Sequence, residues 1–266
     1  MRSTGTGAIG SARLSGSRGS EFKSPVPDQS DTINTMRLTK FKHHYFNTIP
    51  NILLLFGAGF LILAYGPLLK DEAWYKLKQI KNQQYVIGSK GTEPTSIFAR
   101  LISSSPVTLT PVNTDFSMII EKIGIDAPIV ADVPVTDENA YNEALKHGIA
   151  HASVSQYPSK DPGNTYLFAH ASINFWSLGK YATVFNLLGK LDLKDRIHVY
   201  FKNQDFVYEV VNKETLAGWN TYPLTRPVIE PVLTIQTCDP PGTTLNRLII
   251  TAKLVEVKDL SNSNSI

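Results

Sequence analysis

Cys238 is the only cysteine of the chain, and it ends a strand-like run at 233–238. A lone cysteine cannot form an intrachain disulfide, and it cannot hold a metal ion by itself. The thiol is then either a small buried apolar group or a nucleophile. A cysteine nucleophile needs a partner that handles its proton and a donor for the oxyanion of its tetrahedral intermediate.

A donor for an oxyanion is available at Arg247, which opens a second strand-like run at 247–252. Arginine is always cationic and presents five N–H donors in a fixed fork. If the two runs pair as antiparallel strands across the loop 239–246, the thiol and the guanidinium lie at the same end of the sheet. The alternative is that Arg247 only bonds a carboxylate such as Asp239 or Glu230.

Histidine is the usual partner of a cysteine nucleophile. The chain has six: His43, His44, His147, His151, His170 and His198. His43 and His44 are excluded as partners of Cys238, because they flank a long apolar segment, described below, on the side predicted to be cytoplasmic. The last alternates with apolar residues and is predicted to lie on the surface or on a barrel face. His170 follows the apolar run 166–169, which carries it from a strand to the rim of a sheet. Position alone leaves His170, His147 and His151 open.

The long apolar segment runs from 46 to 69, and no Asp, Glu, Lys or Arg lies between Lys42 and Lys70. As a helix, this interval is long enough to cross a hydrocarbon core of about 30 Å. We predict a transmembrane helix at 43–70, in preference to a buried helix or a cleaved signal peptide.

Basic residues before the span favour a cytoplasmic N-terminus, and they are Arg37, Lys40 and Lys42. The protein is then predicted to be a single-pass protein of the cell membrane, with everything after residue 70 outside the cytoplasm. An unpaired cysteine is unusual in such a compartment, which favours the nucleophile interpretation of Cys238.

The remaining chain predicts a mainly β fold. Short strands with turns between them and few helices favour a small closed barrel. Strands are predicted at 116–120, 123–130, 166–170, 196–201, 206–211, 233–238 and 247–252, and short helices at 138–147 and 183–191. The predicted domains are a disordered cytoplasmic segment at 1–42, the transmembrane helix, an extracytoplasmic helix and linker at 71–114, the β-domain at 115–257 and a disordered tail at 258–266. A formal charge of +3 is too mild to indicate nucleic acid binding.

At this point the sequence resembles a known family. The run 234–238 followed by Arg247 is similar to the strand-Thr-Cys…Arg signature of sortases, the membrane-anchored cysteine transpeptidases of bacterial cell surfaces. The run 166–170 resembles their histidine strand, and 116–130 resembles their first two strands. The stretch around 148–164 resembles the one that leads to their catalytic histidine. The likeness covers roughly residues 115–257. The class is left open between classes D and E.

The resemblance implies an eight-stranded β-barrel with short helices, preceded by one transmembrane helix. It implies His170 as general acid and base, Cys238 as nucleophile, and Arg247 as the group that positions the substrate carbonyl or oxyanion. Thr237 and Ala169 would contact substrate, although many sortases have glycine before the histidine. Further substrate contact is expected from Trp176, which suits barrel packing equally well.

The implied reaction cleaves a C-terminal sorting motif similar to Leu-Pro-X-Thr-Gly in exported proteins. A thioacyl-enzyme forms and is transferred to an amino group of a cell-wall precursor or a pilin. The alternative is a membrane-tethered β-barrel that binds peptides or scaffolds pilins without chemistry. No cofactor is expected. Some relatives bind calcium, but the spacing of Asp132, Asp137 and Glu138 does not demand a metal.

Overall fold

The protein is described by a computed structural model that covers residues 29–88, 106–171 and 180–261. It divides into two compact units, Met1–Phe56 and Gly57–Ile266. Every strand of the described residues belongs to the second unit. Trp176 lies outside the described residues, so its predicted place beside a substrate is not addressed by the structure.

The first element is a helix, α1 (Gln29–Ile80). Within the described residues, no single helix is both long and apolar enough to cross a membrane. Two stretches, Thr48–Leu63 and Leu68–Ile80, meet that condition together and bend by 63° at the break between them. The sequence has Gly66 and Pro67 at the break, and proline has no backbone amide to donate a helical hydrogen bond. The transmembrane helix stays a prediction.

Two short strands, β1 (Tyr85–Ile87) and β2 (Val107–Leu109), pair in parallel as a sheet of their own. The other strands are β3 (Phe116–Ile120), β4 (Ile125–Val133), β5 (Ile149–Ala152), β6 (Gly163–Phe168), β7 (Arg196–Phe201), β8 (Gln204–Ala217), β9 (Pro231–Asp239) and β10 (Asn246–Asp259). They close an eight-stranded barrel in the order β10-β8-β7-β3-β4-β5-β6-β9. The β4–β5 and β6–β9 pairs are parallel, and the rest are antiparallel. The prediction of a closed, mainly β barrel is confirmed.

The barrel interior is filled by apolar side chains, of which Leu167, Ile197, Leu233, Ile235 and Ile250 are fully buried. β-branched and aromatic residues suit strands because their side chains pack well on a pleated, buried surface. Burying one such side chain contributes about 1.5–3 kcal/mol. The core therefore holds the strands in one register, and this register positions the site.

One short helix, α2 (Glu138–His147), has the bounds predicted from sequence. It begins after Asp137, whose carboxylate accepts hydrogen bonds from the amides of Asn139 and Ala140, and it buries Leu145. An N-cap of this kind typically contributes about 1 kcal/mol. The helix is therefore fixed at its start and along one face. A single turn, α3 (Tyr222–Thr225), lies between β8 and β9.

The helix predicted at 183–191 is wrong. The segment forms tight turns that end in a 3₁₀ helix at Leu188–Lys190. Its amides bond carbonyls three residues back, as in Val184 to Tyr181 and Asn186 to Thr183. One amide, that of Phe185, donates instead to the carbonyl of His170 at 3.3 Å. Such bonds wind the chain more tightly than an α-helix and suit short connections.

Candidate active site

The β6–β9 ladder brings the histidine and cysteine segments side by side. Its parallel pairs run from Gly163↔Pro231 to Phe168↔Gln236, and each partner lies 68 positions further along the chain. His170 and Cys238 are also 68 positions apart. Continuing the ladder by two residues therefore places them next to each other, on strands about 4.8 Å apart.

The ladder does continue beyond its last strand pair. The amide of Ala169 donates to the carbonyl of Gln236 at 3.2 Å. The hydroxyl of Thr237 donates to the carbonyl of Ala169 at 2.9 Å. These two bonds hold the residue before His170 against the residue before Cys238. Partners in a ladder point to the same face of a sheet, so both functional side chains emerge on one face.

On the other side of Cys238 lies Arg247, its antiparallel partner in the β9–β10 ladder. The expected juxtaposition across the loop 239–246 is therefore present. Nη1 of Arg247 donates to two backbone carbonyls of that loop, those of Thr244 and Asn246, each at 3.2 Å. The three predicted catalytic residues thus follow one another across neighbouring strands.

The alternative in which Arg247 bonds a carboxylate is wrong for both carboxylates considered. The Asp239 side chain accepts a hydrogen bond from the hydroxyl of Thr215 at 3.2 Å. Glu230 forms an ion pair with Lys253 at 2.6 Å. The guanidinium of Arg247 therefore keeps donors that can face a substrate oxygen.

The turn after β8 supports the loop that precedes Arg247. The amide of Gly218 donates to the carbonyl of Leu245 at 2.9 Å. A Cβ at Gly218 would overlap the carbonyl oxygen of Thr244, one of the oxygens that hold Arg247. Glycine is required here because two backbone segments approach closely.

Burial shifts the thiol and the imidazole in opposite directions. Burial raises the pKa of Cys238, and the Arg247 guanidinium offsets part of this rise. Burial lowers the pKa of His170. Both shifts favour the uncharged form. Burial therefore favours the neutral thiol of Cys238 and the neutral imidazole of His170.

The imidazole of His170 has an unusual feature. Its Nε2 atom is buried and has no hydrogen-bond partner among the described residues. Buried polar atoms are normally paired, and an exception calls for an explanation. A role in proton exchange during a reaction would explain why this nitrogen has no partner.

The other histidines left open by the sequence lie elsewhere and have partners. His147 is exposed and pairs with Glu143 at 3.1 Å. His151 is fully buried in a polar cluster with Asp132 and Ser155. His198, expected on the surface or a barrel face, is buried, and its Nδ1 lies 3.0 Å from Asp205.

Other predicted site residues are placed as follows. Thr237 and Ala169 are 3% and 4% exposed and bond each other, so they hold the strands together. Their contact with a substrate stays a prediction. Within the described ranges, no group of three or more His, Cys, Asp or Glu could hold a metal ion. Asp132 accepts a hydrogen bond from Tyr157, and Asp137 caps α2.

One site residue was missed from sequence. Tyr141 of α2 lies edge-on to His170, with ring centroids 6.1 Å apart. Burial raises the pKa of Tyr141, Cys238 adds to this rise and Arg247 opposes it. The helix was predicted with its correct bounds, but nothing in the spacing indicated that this helix lies beside the histidine.

The sequence model of the sortase domain matches residues 118–255, which is more than half of the 266 residues. The chain belongs to the sortase family. The matched span contains the whole of the site, including His170, Cys238 and Arg247. The family predicted from sequence is confirmed, and the class of this sortase stays a prediction. Among curated proteins, none matches the chain.

Solved sortases are similar to this chain at low identity. For the sortase C-1 of Actinomyces oris, identity is 24%, the TM-score is 0.45, and the match covers 55% of this chain and 76% of that one. For a Clostridium perfringens sortase D5 transpeptidase, the values are 24%, 0.43, 53% and 79%. For the sortase E1 of Streptomyces coelicolor, solved with a tripeptide in its active site, they are 19%, 0.46, 57% and 93%.

Proposed function

We propose that this sortase is a cysteine transpeptidase that joins exported proteins to an amino group of the cell envelope or of a pilin. The observation that carries the proposal is that Cys238 lies on β9 between Arg247 of β10 and the segment after β6 that carries His170, so that these two residues flank the thiol on opposite sides. Nucleophile, proton carrier and oxyanion donor are thereby brought together.

The substrate is a C-terminal sorting motif similar to Leu-Pro-X-Thr-Gly. It lies in extended form along the face that Cys238 shares with Tyr166 and Gln236. The hydroxyl of Tyr166 donates to the side-chain oxygen of Gln236 at 2.5 Å, so this stretch of the face is rigid and polar. A peptide advances about 3.3 Å per residue and can match the strand beneath it.

The reaction starts from the neutral pair. His170 accepts the thiol proton as the sulfur of Cys238 attacks the carbonyl carbon before the scissile bond. Arg247 donates to the oxyanion that forms. The C–N bond then breaks, and His170 gives its proton to the departing amine. An incoming amine attacks the thioester and passes a proton to His170. The C–S bond then breaks, and the released thiolate of Cys238 takes this proton from His170.

Each group contributes a separate part of the rate. The covalent intermediate divides one difficult amide exchange into two easier acyl transfers. A positioned acid and base typically supplies about 10²–10⁴-fold, and loss of one oxyanion donor costs about 10²–10³-fold.

The thioacyl-enzyme is the species that tests the proposal. The full chain is incubated with a panel of sorting-motif peptides and an amine acceptor, and intact mass is measured. We expect a mass increase equal to the acyl fragment in the wild type and none in Cys238→Ala. Absence of any adduct or transferred product across the panel would contradict the proposal and favour a peptide-binding barrel without chemistry.

The role of Arg247 has its own test. Arg247→Lys keeps the positive charge but replaces the fork by a single ammonium. We expect kcat/KM to fall by about 10²-fold or more, with the thiol still reactive toward a small alkylating reagent. A near-wild-type rate for this variant would remove Arg247 from the mechanism.

We also propose that α1 anchors the enzyme in the cell membrane, with a cytoplasmic N-terminus and an extracytoplasmic barrel. The apolar segment and the basic residues before it support this placement. Protease added to intact protoplasts should digest the barrel and leave the N-terminus protected. Full protection of the barrel would contradict the orientation.

A further inference from the structure

Tyr141 touches the site through its ring. The ring is stacked on Phe168, with centroids 5.0 Å apart and planes 10° apart. It also meets the imidazole of His170 edge-on, with centroids 6.1 Å apart and planes 81° apart. One tyrosine ring therefore connects the last residue of β6 with the histidine that follows two positions later.

Phe168 and α2, which hold the Tyr141 ring, are themselves held in place. Phe168 is 3% exposed and is the last paired residue of the β6–β9 ladder. Tyr141 itself packs against the core from α2, a helix held by the Asp137 cap and by buried Leu145. The Tyr141 ring is therefore held in place beside the imidazole of His170.

The imidazole of His170 lacks one of the usual supports of a buried histidine ring. Its Nε2 makes no hydrogen bond within the described part of the chain, so no bond at that atom fixes the plane of the ring. Aromatic pairs with edge-to-face geometry contribute about 0.5–1.5 kcal/mol beyond their buried area. The contact with Tyr141 is therefore a candidate for what orients His170 toward the thiol.

The Tyr141 side chain stays uncharged beside the site. Burial raises its pKa to about 12, Cys238 adds to this rise and Arg247 opposes it. Its hydroxyl is uncharged at neutral pH, so the residue adds bulk without adding charge.

We propose that Tyr141 is a positioning residue, whose ring holds the imidazole of His170 toward Cys238 and keeps water from its buried nitrogen. Its effect on turnover rests on the proposed transpeptidase function. The effect of Tyr141 on the titration of His170 does not rest on that function, so the two proposals can be tested separately.

The test uses three variants of the full chain. Tyr141→Leu removes the ring, and Tyr141→Phe restores it without the hydroxyl. Tyr157→Leu is the matched control, since Tyr157 is stacked on Phe201 with the same 5.0 Å separation and planes 13° apart, beside His151 instead. Two quantities are measured, the titration of the His170 ring by NMR and the kinetics of peptide transfer.

We expect Tyr141→Leu to admit water to the imidazole, so that the pKa of His170 rises toward its ordinary value. We expect kcat to fall about 10-fold or more with little change in KM, because the acid and base is misplaced rather than the substrate. Tyr141→Phe should recover both, and Tyr157→Leu should change neither. If the leucine variant does not fold, Tyr141→Met replaces it.

An unchanged His170 titration in Tyr141→Leu would overturn the proposal. So would an equal shift in Tyr157→Leu, which would indicate general loosening of the barrel. If the wild type transfers no peptide but the titration still shifts in Tyr141→Leu, the transpeptidase proposal fails and the positioning role stands.

Discussion

His151 and His170 are two histidines of one barrel with opposite surroundings. His151 lies on β5, opposite Leu167 of β6, and is fully buried. Its Nδ1 accepts from the amide of Asp132 at 3.4 Å, and its Nε2 lies 3.2 Å from the carbonyl of Gln156. The pKa of each histidine is lowered by burial, so this shift does not distinguish them.

Their hydrogen bonds do distinguish them. Both ring nitrogens of His151 have partners, and its ring stacks on Tyr157 with centroids 4.6 Å apart. Nε2 of His170 has none among the described residues. An unpaired buried polar group costs about 1–3 kcal/mol. A satisfied imidazole stabilises the fold, whereas an unsatisfied one is ready to bond a reacting group.

The surroundings of His151 also imitate a catalytic triad. The hydroxyl of Ser155 lies 3.1 Å from its Nε2, and a carboxylate oxygen of Asp132 lies 3.7 Å from its Nδ1. That hydroxyl, however, donates to the carbonyl of Ala152 and accepts from the amide of Tyr166. The Ser155 hydroxyl therefore bonds the backbone and is not available as a nucleophile, although the arrangement resembles a triad.

The largest expected difference concerns activity. His170→Ala should lower kcat/KM for peptide transfer by about 10²–10⁴-fold, because it removes the acid and base. His151→Gln should stay within a few-fold of the wild type, since an amide can replace much of the imidazole's bonding. Steady-state kinetics on purified variants measure both. Equal losses would erase the distinction between the two histidines.

The next difference concerns stability and runs the other way. His151→Ala should lower the free energy of unfolding by about 1–3 kcal/mol, because it leaves buried backbone groups unpaired. His170→Ala removes an unpaired buried nitrogen and should cost less. Urea titrations followed by circular dichroism compare them. A larger loss for His170→Ala would show that its imidazole serves the fold.

A third difference appears in the pH dependence of stability. The folded state holds both imidazoles with a pKa below the ordinary value of 6.5. Below that value the unfolded chain binds more protons than the folded one, so stability falls as pH falls through this range. His151→Gln should make the fall shallower than in the wild type, as measured by urea titrations between pH 7 and about 5. An identical slope would mean that His151 is not held neutral.

The smallest expected effect concerns the bond that aligns His170. Thr237→Val keeps the shape of the side chain but removes the hydrogen bond to the Ala169 carbonyl. We expect a loss of about 1 kcal/mol in stability and a decrease of a few-fold in kcat. Thr237→Ser retains the hydroxyl and is the control. An effect confined to stability would separate strand pairing from the alignment of the imidazole.

Local pattern was enough to predict much of this molecule. The β-barrel, the bounds of α2 and the pairing of Cys238 with Arg247 follow from hydrophobic pattern, helix signals and a short loop. The choice of His170 did not follow from position, because it depends on the parallel pairing of β6 with β9 across a long connection. The contact of Tyr141 with His170 was not predicted either, because it depends on where α2 packs against the barrel.

The wrong prediction of a helix at 183–191 has a local cause. Apolar spacing at 183–191 suggested a helix, but the segment is short and part of its backbone bonds the His170 carbonyl. His198 was expected on the surface or on a barrel face, and it lies on barrel strand β7. Its burial did not follow from the sequence, because it depends on Asp205 across the β7–β8 hairpin, and pairing with a carboxylate makes a buried histidine tolerable.

The shared register of β6 and β9 governs which insertions and deletions the enzyme can tolerate. The loops between His170 and the start of β9 can change length without separating His170 from Cys238, provided that β7 and β8 keep their places in the barrel. The meeting of the two residues depends on equal counts from the last paired residues, Phe168 and Gln236. One residue added between Phe168 and His170 would turn the imidazole to the opposite face. Loop exchange is therefore an open route for redesign, whereas these two strand ends must keep their lengths.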